Sequence, residues 1–484
     1  MLAENIAMQR FFSSVNVFFS RDWIYLPGCA LLFAVLSLIA PSYFPLIEAD
    51  SESYIHFSSY RPALYPVFLK VFIGVGFDLG QITYVQLALL SLALIVLLAA
   101  LLRAGVPRIM IVVFVIGLGA SPYFSTFFRT IMTEALFCAV MMMGLGFWID
   151  YFRTGKAAAL AWTGLCVGVA IGVRPAAITL APMVLIGAWL KWRDRDVSRL
   201  VFGLALIVPL AMGPLAERVM HYAKHGANGA SQATYLLIGK GAMVIREDTA
   251  FNGPYAATLD VLGEKLYKSF NPVHRFLADT PLGAVPALTA AYESVAQFQI
   301  LRKEVADAST RVSVPSDFIF TELGRQAIKD NIPGYLRLSL VHYVGQWSVT
   351  SLTFPPTARA VNDYVSHHIV PLEGMVSEVT LHPPAKATSY VVYPAFLAAG
   401  VITLLLSSAL IPALVYPSCS GGRRQYFLYA IFFSASCQSY TIFLSLVNVS
   451  TPRFILAFYP QLLLVVIFLI LAIWPRLATP DKLH

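Results

Sequence analysis

Many of the acidic, basic and tyrosine side chains in this 484-residue chain lie in segments between hydrophobic stretches. The densest group is the segment 50–66, which follows the first of these stretches. A carboxylate can act as a general base, and an arginine binds a phosphate group through its permanent charge and forked N–H groups. This segment is therefore the first place to look for chemistry. Its candidate functional residues are Asp50, Glu52, Tyr54, Arg61 and Tyr65.

Later segments add candidates of the same types. A carboxylate at the start of a transmembrane helix is costly unless it is hydrated, paired or placed at the positive end of the helix, which makes Glu134 a site candidate. Arg174 lies in a tight turn between two hydrophobic stretches, and Lys240 lies in an apolar run within the longest polar region. The later candidates are Tyr123, Arg129, Glu134, Arg174, Lys240 and Arg453.

Several of the candidates also have a purely structural interpretation, and the sequence leaves both interpretations open. Arg174 could snorkel to lipid headgroups, and Glu134 could form an ion pair with Arg129. The tyrosines could belong to an interfacial aromatic belt, whereas Glu52 and Lys240 could be solvated surface residues.

Composition places the chain among membrane proteins. Apolar residues make up 58% of it and charged residues only 12%, whereas the charged fraction of a soluble domain is about 25%. Runs of about 20 apolar residues predict transmembrane helices. Such runs, several of them short, predict ten helices at 24–41, 81–102, 109–122, 131–149, 158–173, 175–190, 200–215, 391–416, 425–447 and 455–474.

The distribution of charge predicts the orientation in the membrane. With a cytoplasmic N-terminus, the cytoplasmic segments contain 14 basic and six acidic residues, which accounts for the whole net charge of +8. An arginine and lysine excess in cytoplasmic loops is the usual topology signal, so no nucleic-acid partner is implied. We expect a multi-pass protein of the bacterial inner membrane with both termini in the cytoplasm and the candidate residues on the periplasmic side. The five cysteines avoid the long polar region, so no disulfide framework is expected.

The predicted fold is an all-α polytopic membrane protein in three parts. Residues 1–215 form an N-terminal transmembrane module whose first outward loop is 42–80, residues 216–390 form a mainly helical periplasmic domain, and residues 391–484 form C-terminal transmembrane helices. Helical patterns within the periplasmic domain cover 257–270, 286–308 and 316–330.

Two further segments are predicted to be helices at the membrane surface. One begins at Arg61 and runs to Lys70, because a proline near its start favours a first helical turn. The other is 335–352, which is apolar but contains polar and basic residues. If it crossed the membrane, the basic loop at 423–424 would face outward, against the charge bias. We therefore predict an interfacial helix at 335–352.

Several motifs resemble the GT-C superfamily of integral-membrane glycosyltransferases, in particular the aminoarabinose transferases of lipid A and the protein O-mannosyltransferases. The resemblance covers 24–215 and, more weakly, 391–474, and the order of the motifs and their common side of the membrane are more specific than any single motif. It implies a GT-C-like fold. The motifs are Asp50-Ser-Glu-Ser-Tyr54, Arg61-Pro-Ala-Leu-Tyr-Pro66, Thr133-Glu134-Ala-Leu-Phe137, Arg174-Pro175 and Pro452-Arg453-Phe454 with Pro460.

The resemblance also implies an activity and residue roles. A sugar would pass from a polyprenyl-phosphate donor to an envelope lipid or glycan acceptor, with inversion, and Asp50 matches the general base of the family. Glu52 and Glu134 are further acid candidates, although many members carry two adjacent acids where Ser51 here separates them. The phosphate candidates are Arg174 and Arg453, followed by Arg61 and Arg129, and the candidate groove residues are Tyr54, Tyr65, Tyr123 and Lys240.

Two rival functions fit part of this pattern. A flippase or transporter of lipid-linked glycans would place charges through the membrane depth and have related halves, and no inverted repeat is evident in the sequence. A glycan polymerase or ligase would share the outward acids and arginines, so only substrate assays separate it. No cofactor is expected, although a divalent metal ion stays open as an unsupported alternative. A zinc site near His367, His368 and His382 is unsupported, because adjacent histidines do not share a helix face.

Overall fold

The computed structural model describes residues 22–40, 45–48, 50–192, 199–226, 240–241, 243–253, 255–279, 302–348, 386–411, 422–447, 453–474 and 477. Every regular element in these ranges is a helix, in agreement with the all-α prediction. In chain order the helices are α1 (Asp22–Ile39), α2 (Ser51–Ile55), α3 (Leu64–Gly74), α4 (Leu79–Arg103), α5 (Arg108–Gly119), α6 (Pro122–Arg129), α7 (Thr133–Thr154), α8 (Ala157–Val173), a 3₁₀ helix (Pro175–Thr179), α9 (Leu180–Trp192), α10 (Arg199–His225), α11 (Ala256–Asp279), α12 (Arg302–Val312), α13 (Ser316–Asp330), α14 (Ile332–Trp347), α15 (Lys386–Ser408), α16 (Gly422–Val447), α17 (Arg453–Leu456) and α18 (Tyr459–Ile473).

The chain packs into two compact units. The first comprises Met1–Ala230, Leu406–Ser436 and Leu456–His484, and the second comprises Ser231–Leu405 and Cys437–Ile455. This division follows packing, whereas the predicted boundaries near 215 and 390 follow the expected placement relative to a membrane.

Several helices are suited to a membrane. The described residues of the ten predicted hydrophobic segments are mainly helical, although 175–190 is divided between the 3₁₀ helix and α9, 455–474 is divided between α17 and α18, and 412–416 lie outside the described residues. Five helices are long and apolar enough to cross a bilayer, and the other apolar helices in the described part of the chain are shorter. The protein therefore has the character of a helical membrane protein, while the count of ten spans stays a prediction. The five long helices lie at Leu79–Arg103, Thr133–Thr154, Gly203–His225, Tyr390–Ser408 and Arg424–Val447.

Helix α7 is the buried helix of the first unit and carries its charged side chains near its two ends. Glu134 lies in the first turn. Near the other end, Asp150 accepts a hydrogen bond from Nε of Arg103 on α4 at 3.0 Å, and Nε of Arg153 lies 3.8 Å from the same carboxylate. The residues between Glu134 and Asp150 are uncharged. Charge is thus kept out of the middle of the helix, where desolvation would cost most.

Helices α8 and α10 are in direct backbone contact through glycines. Gly164, Gly168 and Gly172 recur every four residues on α8. A Cβ atom on Gly168 would lie 2.4 Å from the carbonyl oxygen of Leu210, and one on Gly213 would lie 1.9 Å from the carbonyl oxygen of Gly168. Small residues at such spacing let apolar helices approach closely. The contact fixes the end of α8 relative to α10.

The second unit has its own apolar core, formed by residues of α11, α12, α13 and the segment that precedes α11. The helix predicted at 316–330 is confirmed as α13, which begins at Ser316 after Pro315. Asn331 follows the end of α13, and its side chain accepts a hydrogen bond from the N–H of Gly334 at 3.0 Å in the first turn of α14. The part 286–301 of another predicted helix lies outside the described residues. The core residues include Met243, Ile245, Phe251, Leu262, Leu266, Val305, Ile319 and Leu323.

Replacing Gly213 by alanine should destabilise the protein, because the added methyl group would overlap the carbonyl oxygen of Gly168 and force α8 and α10 apart. Overpacking of this kind typically costs about 1 to 3 kcal/mol. Thermal unfolding of the purified protein in detergent should therefore show a lower midpoint. Gly203→Ala is the matched control on α10, because no atom lies within 4 Å of its added Cβ. Equal midpoints for the two variants would contradict the backbone contact.

Candidate functional site

The first part of the segment 50–66 is held by its own serines. Helix α2 begins at Ser51, directly after Asp50. The Ser51 hydroxyl accepts a hydrogen bond from the N–H of Glu48 at 2.8 Å, and the Ser53 hydroxyl donates to the carbonyl oxygen of Asp50 at 2.5 Å. Both serines are buried. The backbone around Asp50 is therefore fixed by local hydrogen bonds.

Arg61 makes most of the polar contacts in this segment. Its Nη2 donates to Oδ1 of Asp50 at 2.5 Å, its Nε to the Ser53 hydroxyl at 2.7 Å, and its Nη1 to the Tyr54 hydroxyl at 3.1 Å. The guanidinium carbon also lies 4.4 Å from the centroid of the Tyr54 ring. The Arg61 side chain is 12% exposed and that of Asp50 is 34% exposed. A buried guanidinium thus orients a partly exposed carboxylate.

The turn that follows α2 is held by the end of α10. Phe57 has a φ of 51°, in the left-handed region that bulky side chains rarely adopt. Its buried ring contacts the rings of His221 and His225, with centroid distances of 5.9 and 4.9 Å. Nε2 of His221 lies 2.8 Å from the carbonyl oxygen of Ser59. These contacts offset the backbone strain and fix the approach of the chain to Arg61.

A second ion pair joins α7 to the turn after α8. Glu134 lies in the first turn of α7, where the positive end of the helix favours a carboxylate. Nη2 of Arg174 lies 3.2 Å from Oε1 of Glu134, and its guanidinium lies 5.5 Å from the centroid of the Phe137 ring. The two charged side chains are only 11% and 3% exposed. The pairing of Glu134 with Arg129 considered from the sequence is replaced by this pair.

Tyr54 lies within electrostatic range of both ion pairs. Desolvation by burial raises the pKa of its hydroxyl, the two arginines Arg61 and Arg174 act to lower it, and the two acids Glu134 and Asp50 act to raise it. The net shift is upward, so the phenol remains neutral at physiological pH. Asp50, Arg61, Glu134 and Arg174 therefore all interact electrostatically with Tyr54. The sequence predicted only that these four residues share one side of the membrane.

Tyr65 packs against the ring of Tyr54. The two rings pack edge to face with centroids 5.4 Å apart. The Tyr65 hydroxyl donates to Oε1 of Gln86 at 2.9 Å, and Nε2 of Gln86 donates to the carbonyl oxygens of Phe128 and Thr130 at 2.8 and 3.2 Å. Tyr65 is 0% exposed. The predicted role of Tyr65 in lining a groove is therefore corrected to a buried support.

Arg129 and Glu52 have less specific surroundings. Nη2 of Arg129 donates to the carbonyl oxygens of Ser37 and Leu38 at 3.0 and 2.6 Å, in the last turn of α1. A cation there satisfies carbonyls that have no partner within the helix. This capping role makes Arg129 a weaker phosphate candidate than the sequence indicated. Glu52 is exposed in the first turn of α2.

The remaining candidates lie elsewhere. Lys240 belongs to the second unit, is 0% exposed, and donates through Nζ to the carbonyl oxygen of Ser445 near the end of α16. Its interpretation as a solvated surface lysine is therefore wrong, while its predicted place among the groove residues stays a prediction. The side chains of Tyr123 and Arg453 lie outside the described residues.

Three contributors to the site were missed from the sequence: Ser53, Gln86 and His221. Gln86 carried a usable signal, because an amide within an apolar helix needs a partner. His221 is polar and 1% exposed, and its spacing of four residues from His225 indicated a common helix face. Ser53 gave no signal, because serine is common in outward segments.

Metal-binding chemistry has no donor cluster here. No group of three or more His, Cys, Asp or Glu side chains suited to a metal occurs in the part of the chain that the structure describes. The histidines at 367–382 lie outside that part.

Comparison of the chain with protein-family models, with curated proteins and with solved structures gives no match. The chemistry of the site is therefore argued from its residues and geometry.

Replacing Arg174 by methionine should destabilise the protein strongly, because Glu134 would become a buried charge without this partner. Such a loss typically costs about 3 to 5 kcal/mol. The double variant Glu134→Gln with Arg174→Met should recover much of the loss in thermal unfolding in detergent. Lys268→Met, which breaks an ion pair with Glu264 whose two side chains are 71% and 62% exposed, is the control and should leave the midpoint unchanged. A double variant no more stable than Arg174→Met would contradict the coupling.

Proposed function

We propose that this protein is an integral-membrane glycosyltransferase of the GT-C type, which moves a sugar from a polyprenyl phosphate to a hydroxyl group of an envelope lipid or glycan. The acceptor oxygen forms a bond to the anomeric carbon, the bond from that carbon to the phosphate oxygen breaks, and the hydroxyl proton passes to a base. A single displacement inverts the anomeric carbon. The reaction needs a positioned carboxylate and fixed positive charge for the leaving phosphate.

The observation that carries the proposal is the partly exposed carboxylate of Asp50 held on the buried guanidinium of Arg61. Of the two paired acids near Tyr54, Asp50 is 34% exposed and Glu134 only 3%. An acceptor hydroxyl can therefore reach Asp50 but not Glu134. We assign Asp50 as the base and Glu134 as the residue that positions Arg174.

The leading phosphate ligand among the described residues is Arg174. A guanidinium has five N–H donors, so one arginine can bind a carboxylate and a phosphate together. Arg61 uses three of its five N–H donors on Asp50, Ser53 and Tyr54, which favours an orienting role for that residue. Arg453 stays a candidate on the resemblance alone.

Helix α7 favours an enzyme over a transporter. Along α7, charged residues occur in the end turns at Glu134 and Asp150, and the stretch between them is uncharged. A transport pathway would require polar or charged side chains through the depth of the membrane. A polymerase or ligase would use the same kind of site, and the choice of donor and acceptor distinguishes it.

Asp50→Asn should lower the rate of sugar transfer by about 10² to 10⁴, because general-base catalysis typically contributes that factor. The assay uses purified protein in vesicles, labelled polyprenyl-phosphate sugars and a panel of lipid and glycan acceptors. Glu52→Gln is the matched control, since it removes a neighbouring exposed carboxylate and should retain activity.

Two results would contradict the assignment in different ways. Full activity of a folded Asp50→Asn protein would exclude Asp50 as the base. No transfer by the unmodified protein to any acceptor, together with movement of a lipid-linked glycan across the vesicle membrane, would replace the enzyme by a transporter.

Donor binding provides a separate test. Arg174→Gln in a Glu134→Gln background keeps the pair uncharged and should weaken binding of labelled donor at least tenfold relative to Glu134→Gln alone, because a charge-assisted hydrogen bond contributes about 1.5 to 3 kcal/mol. Arg453→Gln should weaken it similarly. Arg129→Gln is the control, because Arg129 caps α1. Unchanged affinity in both test variants would remove these arginines from the phosphate site.

A further inference from the structure

Helix α14 in the second unit has its polar face inside and its apolar face outside. Ser339, His342 and Gln346 are 5%, 0% and 1% exposed. Leu336 and Leu340, which share a helix face because they are four residues apart, are 54% and 62% exposed. A helix in water buries its apolar face, so this arrangement indicates apolar surroundings.

The exposed apolar face runs the whole length of the helix. Ile332 and Val344 extend it in both directions at the same spacing, and they are 53% and 40% exposed. Arg337 is also exposed, one turn from the start of the helix. A long basic side chain near a helix end can reach a polar membrane surface. The one exposed basic residue of the helix thus lies near its start, and the exposed residues between Arg337 and Trp347, Leu340 and Val344, are apolar.

Helix α14 runs alongside α16 and antiparallel to it. The Tyr335 hydroxyl donates to the carbonyl oxygen of Leu446 at 2.6 Å, and the Tyr343 hydroxyl donates to Oε1 of Gln438 at 2.6 Å. Eight residues along each helix correspond to about 12 Å. Because α16 has the length and composition of a helix that crosses a bilayer, a helix that runs alongside it would follow the membrane normal and would not lie flat on the surface.

A buried polar network joins α14 and α16 to α15, a third apolar helix. Nε2 of Gln438 donates to the carbonyl oxygen of Gly400 at 3.0 Å and to the Thr403 hydroxyl at 2.7 Å. A Cβ on Gly400 would lie 2.8 Å from the ring of Trp347, so α15 also contacts the end of α14. Satisfied polar groups between helices are typical of membrane interiors. On α15, Val401 is 58% exposed, so the outer surface of this group is also apolar.

We infer that α14 is embedded in the membrane, with Ile332, Leu336, Leu340 and Val344 in contact with lipid acyl chains. Its 16 residues extend about 24 Å, less than the roughly 30 Å of a hydrocarbon core. Its first residues lie near the surface, where Arg337 reaches the headgroups, and Trp347 lies deepest. The second unit is then partly a membrane structure, and the interfacial helix predicted at 335–352 is replaced by one that enters the bilayer.

Spin labels on the full-length protein in phosphatidylcholine and phosphatidylglycerol vesicles can test this placement. Cysteine is introduced singly at Leu336, Leu340 and Val344 in a Cys419→Ser background, because the four other cysteines are buried. Collision rates with oxygen, which enters lipid, and with a water-soluble nickel chelate report depth. We expect oxygen to dominate at all three sites, with depth increasing by about 12 Å from Leu336 to Val344.

Two matched positions calibrate the measurement. Val401→Cys on α15 should report a lipid environment, and Val261→Cys, equally exposed at 58% on the polar helix α11, should report water. Equal shallow depth at the three α14 positions would restore the in-plane helix and overturn the inference. Collision with nickel at the level of Val261 would show that α14 faces water, which would overturn it as well.

Discussion

The desolvation free energy of charged side chains is the main constraint on the first unit, because a buried charge is tolerated only when a partner neutralises it. The uncharged middle of α7 and the ion pairs at its two ends follow from that cost. Arg174 neutralises Glu134 at one end, and Arg103 and Arg153 share Asp150 at the other. Tyr54 and Tyr65 fill the space beside the Glu134 pair with neutral hydroxyl groups. Of the acids in the two ion pairs near Tyr54, Asp50 therefore keeps the greater access to solvent.

The positions of the Glu134–Arg174 and Asp50–Arg61 ion pairs depend on the contact between α8 and α10, which involves no charged groups. The glycines of α8 let its backbone touch α10, and α8 ends where Arg174 begins the following turn. Helix α10 ends with His221 and His225, which hold the turn that leads to Arg61. A shift of α10 along α8 would displace the two arginines relative to each other. The packing of α8 against α10 thus also determines the distance between Arg61 and Arg174 in the candidate site.

The sequence predicted the helices better than the contacts between them. Apolar runs locate α7 and α16 because burial and lipid both select such runs, yet α10 continues to His225, ten residues past its predicted end at 215, because polar residues can extend a helix. The candidates Asp50, Arg61, Glu134 and Arg174 were identified by type and sidedness. Which acid pairs with which arginine depends on tertiary contacts that spacing does not encode. The reversed faces of α14 were hidden because the apolar content of a segment does not tell which side of the helix faces its neighbours.

The pairing of Asp50 with Arg61 fixes the orientation of the proposed base. Nη2 of Arg61 donates to Oδ1 of Asp50, so the carboxylate is held in one direction. A strong base is not required if the leaving group departs readily, and a phosphate neutralised by an arginine is a weakly basic leaving group. In the proposed reaction the carboxylate also aligns the acceptor oxygen with the anomeric carbon while it accepts the proton, and alignment is a large source of rate enhancement in such a displacement. Rigid support of Asp50 by Ser53, Arg61 and the α10 histidines serves that task directly.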